Sequence, residues 1–394
     1  MAAPNLRFAP DYLITISGEE LPSSLRSCIT SVRYEDGTGS ADRVEVGIAN
    51  IDLRWLRSHI KGLGFAPFPT TLHLGPVRAT SSEGLFDVDN SLTLSLGYAP
   101  DALSPVFEGE ITGVQATFPS GGTPGMTIVA HDRLQRLSSG KYARGFGPIP
   151  DALIATILSA ENLLIPMIDP AISAASTAIA AVNYVFGGSG RKQRGQSDLE
   201  LLQEIAATYD ADFWVEGEVL YVARFFPKEY ASRLTLRWGE SLMDFSPQIS
   251  TVGTVAGAAM KFTLRELPLS FLVSVGWDFD REAVKIAVVP GEAAAGAKLI
   301  AGDAVTIIDQ PVSSPADLAN SALMIYHELR RKLNNRLTGS ATAIGDPRIR
   351  AGAVITLDGM GTDFSGDYRV SSASHVVDSS GYRTSFQVRK EILP

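Results

Sequence analysis

Cysteine is nearly absent from this sequence: Cys28 stands alone in 394 residues. A single thiol excludes an intramolecular disulfide framework and any metal site built on paired thiolates, and it fits synthesis in a reducing compartment. Histidine is scarce too. His59, His73, His131, His327 and His375 are scattered, and no two share a helical turn. Positive charge is in deficit, with Lys plus Arg at 34 against Asp plus Glu at 43, a formal net charge of −9. Binding nucleic acid through its phosphates needs a cationic face, so no specific nucleic-acid binding is expected. The N-terminus lacks a basic region followed by an apolar run, which argues against a secretory signal. Pro166, Asp169, Pro170 and Asn183 interrupt the most apolar stretch, 163–186, so no membrane insertion is expected.

What remains is a chain with 45% apolar and 20% charged residues, enough for a sizeable core. At roughly 150 residues per domain it divides into two to four. Residues 11–17, 28–34, 43–48, 92–98, 106–114 and 126–130 alternate apolar and polar side chains or are β-branched, and Gly-rich turn clusters at 35–42 and 119–125 separate some of them. Many short strands at this spacing favour a barrel or sandwich. Residues 53–61 read as a short helix.

The pattern changes near residue 148. Pro150 opens a helical segment to 158, a loose Ala-rich region follows, and a Gly/Arg/Lys loop occupies 187–195. Ser197 and Glu200 form a capping box ahead of the stripe Leu199, Leu202, Ile205 and Ala206, and two short strands meet at the turn Glu216-Gly-Glu218. From 234 the chain returns to β, interrupted by one long helix that starts near Pro315 and ends near Lys332. The expected organisation is mainly β with an α+β insertion: two related β-barrel domains plus a middle α+β domain. The first barrel takes 1–146 and the middle domain 147–230. A β-rich region at 231–310 begins the second barrel, a connecting helix spans 311–336, and 337–394 completes the barrel. One internal echo supports the duplication. Phe107-Glu-Gly-Glu110 stands 24 residues before His131, and Phe364-Ser-Gly-Asp367 stands 24 before Val388.

Motifs that carry chemistry mostly fail on spacing. The loop 187–195 has no Gly-Lys pair and so is no P-loop. His327-Glu-Leu-Arg-Arg331 has Arg where a zinc helix needs its second His. Asp87-Val-Asp-Asn90 has Leu92 and Tyr98 where a calcium loop needs Gly and Glu. Glu108 and Glu110, two apart on a strand, share one face and are the one pair suited to acid–base work on a glycoside. No cofactor, metal or catalytic residue is otherwise indicated.

Four segments together resemble the phage late control D family, the baseplate hub proteins of contractile phage tails and related injection systems. They are the stretch from Asp346 through Gly352, Gly359, Phe364, Gly366, Tyr368 and His375 to Gly381-Tyr-Arg-Thr-Ser-Phe386; Ser197-Asp-Leu-Glu-Leu-Leu with Phe213 to Tyr221; Arg237-Trp-Gly-Glu240 with Phe245; and Phe107 to Ile111 with Ala130-His-Asp-Arg133. The resemblance implies a non-enzymatic homotrimer whose two barrels per chain give a pseudo-six-fold ring. Its implied partners are the hexameric tail tube, a trimeric spike and other baseplate components. It also implies a place in the tail of a virion or injection particle, assembled in the host cytoplasm. Only five residues follow Arg389, so the spike is expected to be a separate protein. The tube-facing hairpins are expected at 107–126 and 364–386. Segment 159–195 matches nothing in the family. Two other readings stand beside this one: a tail-associated cell-wall hydrolase using Glu108 and Glu110, and a monomeric carbohydrate-binding module.

Overall fold

The computed structural model describes residues 9–49, 85–185, 190–224, 234–249, 257–264, 269–278, 283–290, 306–309, 334 and 337–390. The expected helix at 53–61 lies outside the described residues, as does the one at 311–336 apart from residue 334.

The first strands are β1 (Ala9–Ile16), β2 (Glu19–Glu20), β3 (Ile29–Gly37), β4 (Arg43–Ala49), β5 (Ser91–Ala99), β6 (Ser104–Thr117) and β7 (Gly125–His131). Their period-two pattern sends Val32 and Tyr34, Val44 and Val46, Leu92 and Leu94, and Ile128 and Ala130 to one side, where they form a single buried core. β3 runs on through Glu35, Asp36 and Gly37, so the expected turn cluster at 35–42 begins three residues too early. β8 (Tyr142–Gly145) then leads into α1 (Asp151–Glu161), β9 (Ile165–Ile168), α2 (Pro170–Val185), β10 (Lys192–Gln196), α3 (Asp198–Tyr209), β11 (Ala211–Glu216) and β12 (Val219–Arg224). These pack a second core around Leu158, Leu202, Ile205, Phe213 and Leu220.

Two expectations change in this middle unit. The Ala-rich region is ordered, as β9 and the 16-residue helix α2. The Gly/Arg/Lys segment is not a surface loop throughout: β10 pairs antiparallel with β8, and Arg191 forks onto Asp151 at 2.7 Å through two nitrogens. The capping box is present, with Ser197 Oγ accepting from the Glu200 N–H at 3.2 Å and Glu200 accepting from the Ser197 N–H at 2.7 Å. Ser197→Ala is expected to cost about 1 kcal/mol, read as a lower thermal midpoint of the middle unit.

The second β unit contains β13 (Thr235–Arg237), β14 (Leu242–Ile249), β19 (Leu337–Ile344), β20 (Val354–Asp358), β21 (Gly366–Asp378) and β22 (Gly381–Arg389) around the core of Leu236, Leu357, Tyr368, Val370 and Phe386. Between β14 and β19 in sequence lie β15 (Gly257–Leu264), β16 (Leu269–Asp278), β17 (Ala283–Pro290) and β18 (Thr306–Asp309). They form their own four-stranded sheet, whereas the expectation assigns the whole of 231–310 to the start of the second barrel.

The two β units repeat each other strand for strand. The first has the order β1-β5-β6-β7-β4-β3 and the second β13-β20-β21-β22-β19-β14. The last four pairings are antiparallel in both. The first differs, since β1 meets β5 antiparallel and β13 meets β20 in parallel. Two bulges also match. Thr30 is the extra residue of β3 against β4, and Met243 is the extra residue of β14 against β19. Thr112 and Ser371 are the extra residues of β6 and β21 against their hairpin partners. A bulge costs a ladder bond and bends the strand, so two at matched positions point to a common design. The same ladders set Glu110 against Arg369, whereas the sequence echo sets it against Asp367. The echo is therefore out of register by two residues, although the hairpins that contain it correspond.

Candidate functional site

The two β units are joined along one edge. Strand β3 pairs antiparallel with β21, from Ser372 opposite Gly37 to Asp378 opposite Ser31, and this fuses them into one thirteen-stranded sheet. Val377 and Tyr382 of the second unit reach into the core of the first. Gly345 makes that possible: a Cβ there would lie 2.1 Å from the Tyr382 ring, so only glycine lets the ring lie against the backbone.

Alternation along β3 sends Tyr34 and Asp36 inward with Val32, and the seam supplies their partners. Arg350 donates to the Tyr34 hydroxyl at 2.9 Å and to Asp36 at 3.3 Å. Tyr34 donates to Asp42 at 2.8 Å, and the Ala351 N–H donates to Asp36 at 3.0 Å. His375 stacks on Tyr34 with ring centroids 5.6 Å apart. Its Nε2 lies 2.9 Å from the Ile349 carbonyl, which can only accept, so Nε2 carries the proton. Its Nδ1 then accepts from Tyr382 at 2.9 Å and Thr384 at 3.1 Å. Asp346 holds Arg348 through two oxygens at 2.9 and 2.7 Å.

Burial decides the titration of this cluster. It pushes the Asp42 carboxyl up to about 8, with the neighbouring Asp36 and Asp132 charges adding to it. Asp36 is raised by burial while Arg350 pulls against it. Burial likewise lowers His375 to about 4. A folded state that resists protonating His375 is fully stabilised by it above pH 6.5 and loses that stability as pH falls toward 4. The loss approaches about 3 kcal/mol at 1.36 kcal/mol per unit. His375→Gln is therefore expected to melt with a flatter pH dependence than the parent between pH 6.5 and 4. Asp42 acts with the opposite sign, its stability being lost as pH rises from about 4 toward 8.

The middle unit closes the seam from one end. Gly39 N–H donates to the Phe213 carbonyl at 3.1 Å, and Gln203 donates to the Gly39 carbonyl at 3.2 Å. Arg369 binds Asp212 directly. A cavity of about 210 Å³ lies where the three units meet, lined by Asp36, Asp42, Asp212, Trp214 and Arg350 among others.

Glu108 and Glu110 lie elsewhere, on the outer side of β6. Arg133 reaches Glu108 at 3.2 Å, Glu110 at 3.7 Å and Glu218 at 3.7 Å, and Arg136 also binds Glu110. This network ties the first β unit to the turn between β11 and β12. Both carboxylates are thus already engaged by guanidinium groups. Among the described residues no group of three His, Cys, Asp or Glu could hold a metal ion, and no helix is long and apolar enough to cross a membrane.

Sequence reasoning missed the seam. In the sequence His375 falls within a motif, but Tyr34, Asp36, Asp42 and Arg350 read only as strand, turn and spacer. A signal existed: Tyr34 and Asp36 fall on the apolar face of an alternating strand, where a carboxylate needs a partner.

No family model matches the chain, and no curated protein sequence matches it. Solved structures do. The prophage MuSo2 43 kDa tail protein from Shewanella oneidensis superposes with a TM-score of 0.61 at 11% identity, covering 98% of this chain and 99% of that one. A tail protein from Neisseria meningitidis MC58 gives 0.59 at 11% identity, covering 98% and 97%. The E. coli c3393 protein, a type VI secretion component similar in structure to T4 bacteriophage tail proteins gp27 and gp5, gives 0.54 at 11% identity, covering 97% and 80%. The chain has the β-rich fold these tail and secretion proteins share.

Proposed function

We propose that the chain is a structural baseplate hub of a contractile tail or related injection particle. Three copies form a ring that joins a hexameric tail tube to a trimeric spike. The observation that carries this is the repeated β unit, with the same strand order and matched bulges, fused edge to edge within one chain. Three such chains offer six like units to a six-fold partner while keeping three-fold symmetry toward the spike. The likeness to tail and secretion proteins over nearly the whole chain supports the same reading. The particle would be assembled in the host cytoplasm and end in the tail baseplate.

The face of the shared sheet that carries Arg33 and Glu35 adds to it. Ser246, Ser340, Thr342, Ser372, Ser374 and Ser385 line a shallow groove there, and Arg33–Glu35, Arg43–Glu45 and Arg383–Asp378 pair on the same face. In a ring this face lines the channel, and a channel without surplus positive charge does not retain a polyanion. The role is non-enzymatic, and no observation favours the wall hydrolase. A peptidoglycan zymogram that cleared with the parent and not with Glu108→Gln would overturn that part. Native mass spectrometry tests the ring: the expected species is three chains of 42.0 kDa, near 126 kDa, and a spike should bind it three to three.

A further inference from the structure

The internal seam shows how copies would join. Strand β21 changes neighbours along its length: 366–369 pair with β20, and beyond the Ser371 bulge 372–378 pair with β3. Its counterpart β6 pairs with β5 through 104–110, but beyond the Thr112 bulge it pairs with β7 alone among the described residues. Among the described residues, the edge that β3 fills on β21 is thus unfilled on β6. The counterpart of β3 is β14, which pairs with β19 on one side and, beyond the bridge from Leu242 to Trp238, has no strand on the other among the described residues. One chain therefore carries both halves of a second seam, at opposite ends.

We infer that β14 of one copy pairs antiparallel with the second half of β6 of the next, reproducing between chains the β3–β21 joint within each. This rests on the ring reading and names its interface. The matched ladders fix the register. Ser374 opposite Glu35 becomes Gln115 opposite Gln248, and Ala373 opposite Asp36 becomes Val114 opposite Ile249. Apolar side chains lie bare along both edges: Ile249 is 52% exposed, Met243 49%, and Phe118, just past β6, 64%. An exposed edge strand with apolar neighbours invites another chain, and natural proteins leave such edges unprotected where pairing is intended. The two seams differ in chemistry. Pro247 stands where Tyr34 stands and has no N–H to donate, and Ala116 replaces His375. The joint between copies accordingly lacks the Tyr34–His375 polar cluster and relies on backbone bonds and the flanking apolar residues.

The test uses Gln115→Cys and Gln248→Cys together in a Cys28→Ser background, treated with a short bis-maleimide. The double variant is expected to shift from the one-chain band to two- and three-chain bands, and neither single variant should. Gln115→Cys with Asp244→Cys, four residues out of register, should link poorly. If native mass finds a three-chain ring before labelling but only one-chain bands after it, the joint is wrong and the ring reading survives. A particle that stays at 42.0 kDa at every concentration overturns the ring and the joint with it. A second pair of variants needs no labelling. Gln115→Lys with Gln248→Lys should weaken the ring at low salt and regain it as salt rises, whereas Gln115→Glu with Gln248→Lys should hold best at low salt, since like charges opposite each other repel and salt screens both effects; equal behaviour contradicts the joint.

Discussion

Arg350→Met should loosen the seam more than any other single side-chain removal in it. Asp36, Asp42 and the Tyr34 hydroxyl would keep their buried places and lose their cation. Removing one partner of a fully buried pair costs roughly 3–5 kcal/mol. Arg350 keeps 38% of its side chain accessible, so solvent compensates part of this, leaving about 2–3 kcal/mol. The effect should depend on pH. Asp36 and Asp42 hold protons more tightly than free carboxyls do, and without Arg350 they take them up more readily still. The deficit is therefore greatest near pH 8 and shrinks toward pH 5. Urea unfolding of parent and variant at the two pH values measures it. Asp36→Asn added to Arg350→Met should recover part of the loss, because the two residues belong to one network.

Gly109→Ala should be the most damaging small substitution in the first β unit. A Cβ at Gly109 would lie 2.2 Å from the His131 carbonyl oxygen and 2.5 Å from the Phe107 ring. The oxygen belongs to the paired strand and cannot swing aside, so the ladder itself must shift, at a cost of about 3 kcal/mol or more. Gly113, four residues along the same strand, meets nothing within 4 Å. Gly113→Ala is expected to leave the stability of the free chain within about 0.5 kcal/mol of the parent. Thermal melts of the two variants side by side separate a close-packed glycine from one on an open edge.

Much of the fold is legible in the sequence, because β structure in this chain follows simple alternation. Val44, Val46 and Ile48, or Leu92, Leu94 and Leu96, announce both their strand and its buried face. The capping box at Ser197 marks a helix start for a similarly local reason. The Ala-rich helix α2 was obscured because alanine gives little contrast between faces, and β10 because its neighbour β8 is some 50 residues away in sequence. The motif that suggests the duplication is out of register by two residues. The real marks of the duplication are four bulge residues, Thr30, Thr112, Met243 and Ser371, and a bulge is a property of pairing that one strand's sequence does not carry. Glu108 and Glu110 do share a face, as their spacing requires, but Arg133 and Arg136 come from beyond the hairpin to neutralise them. The seam was hidden for the same reason: Arg350 lies more than 300 residues from Tyr34 and meets it only when the ends of the chain come together.

An electron-microscopy map of the assembled particle, viewed down its axis, tests the central claim most directly. Three chains should appear as six β lobes at near-equal spacing, with each lobe joined to both neighbours through a continuous sheet and the lobes alternating in detail under three-fold symmetry. A map in which the chain forms a ring of another order, or contributes one lobe per copy with its second β unit turned away from the ring, would contradict it.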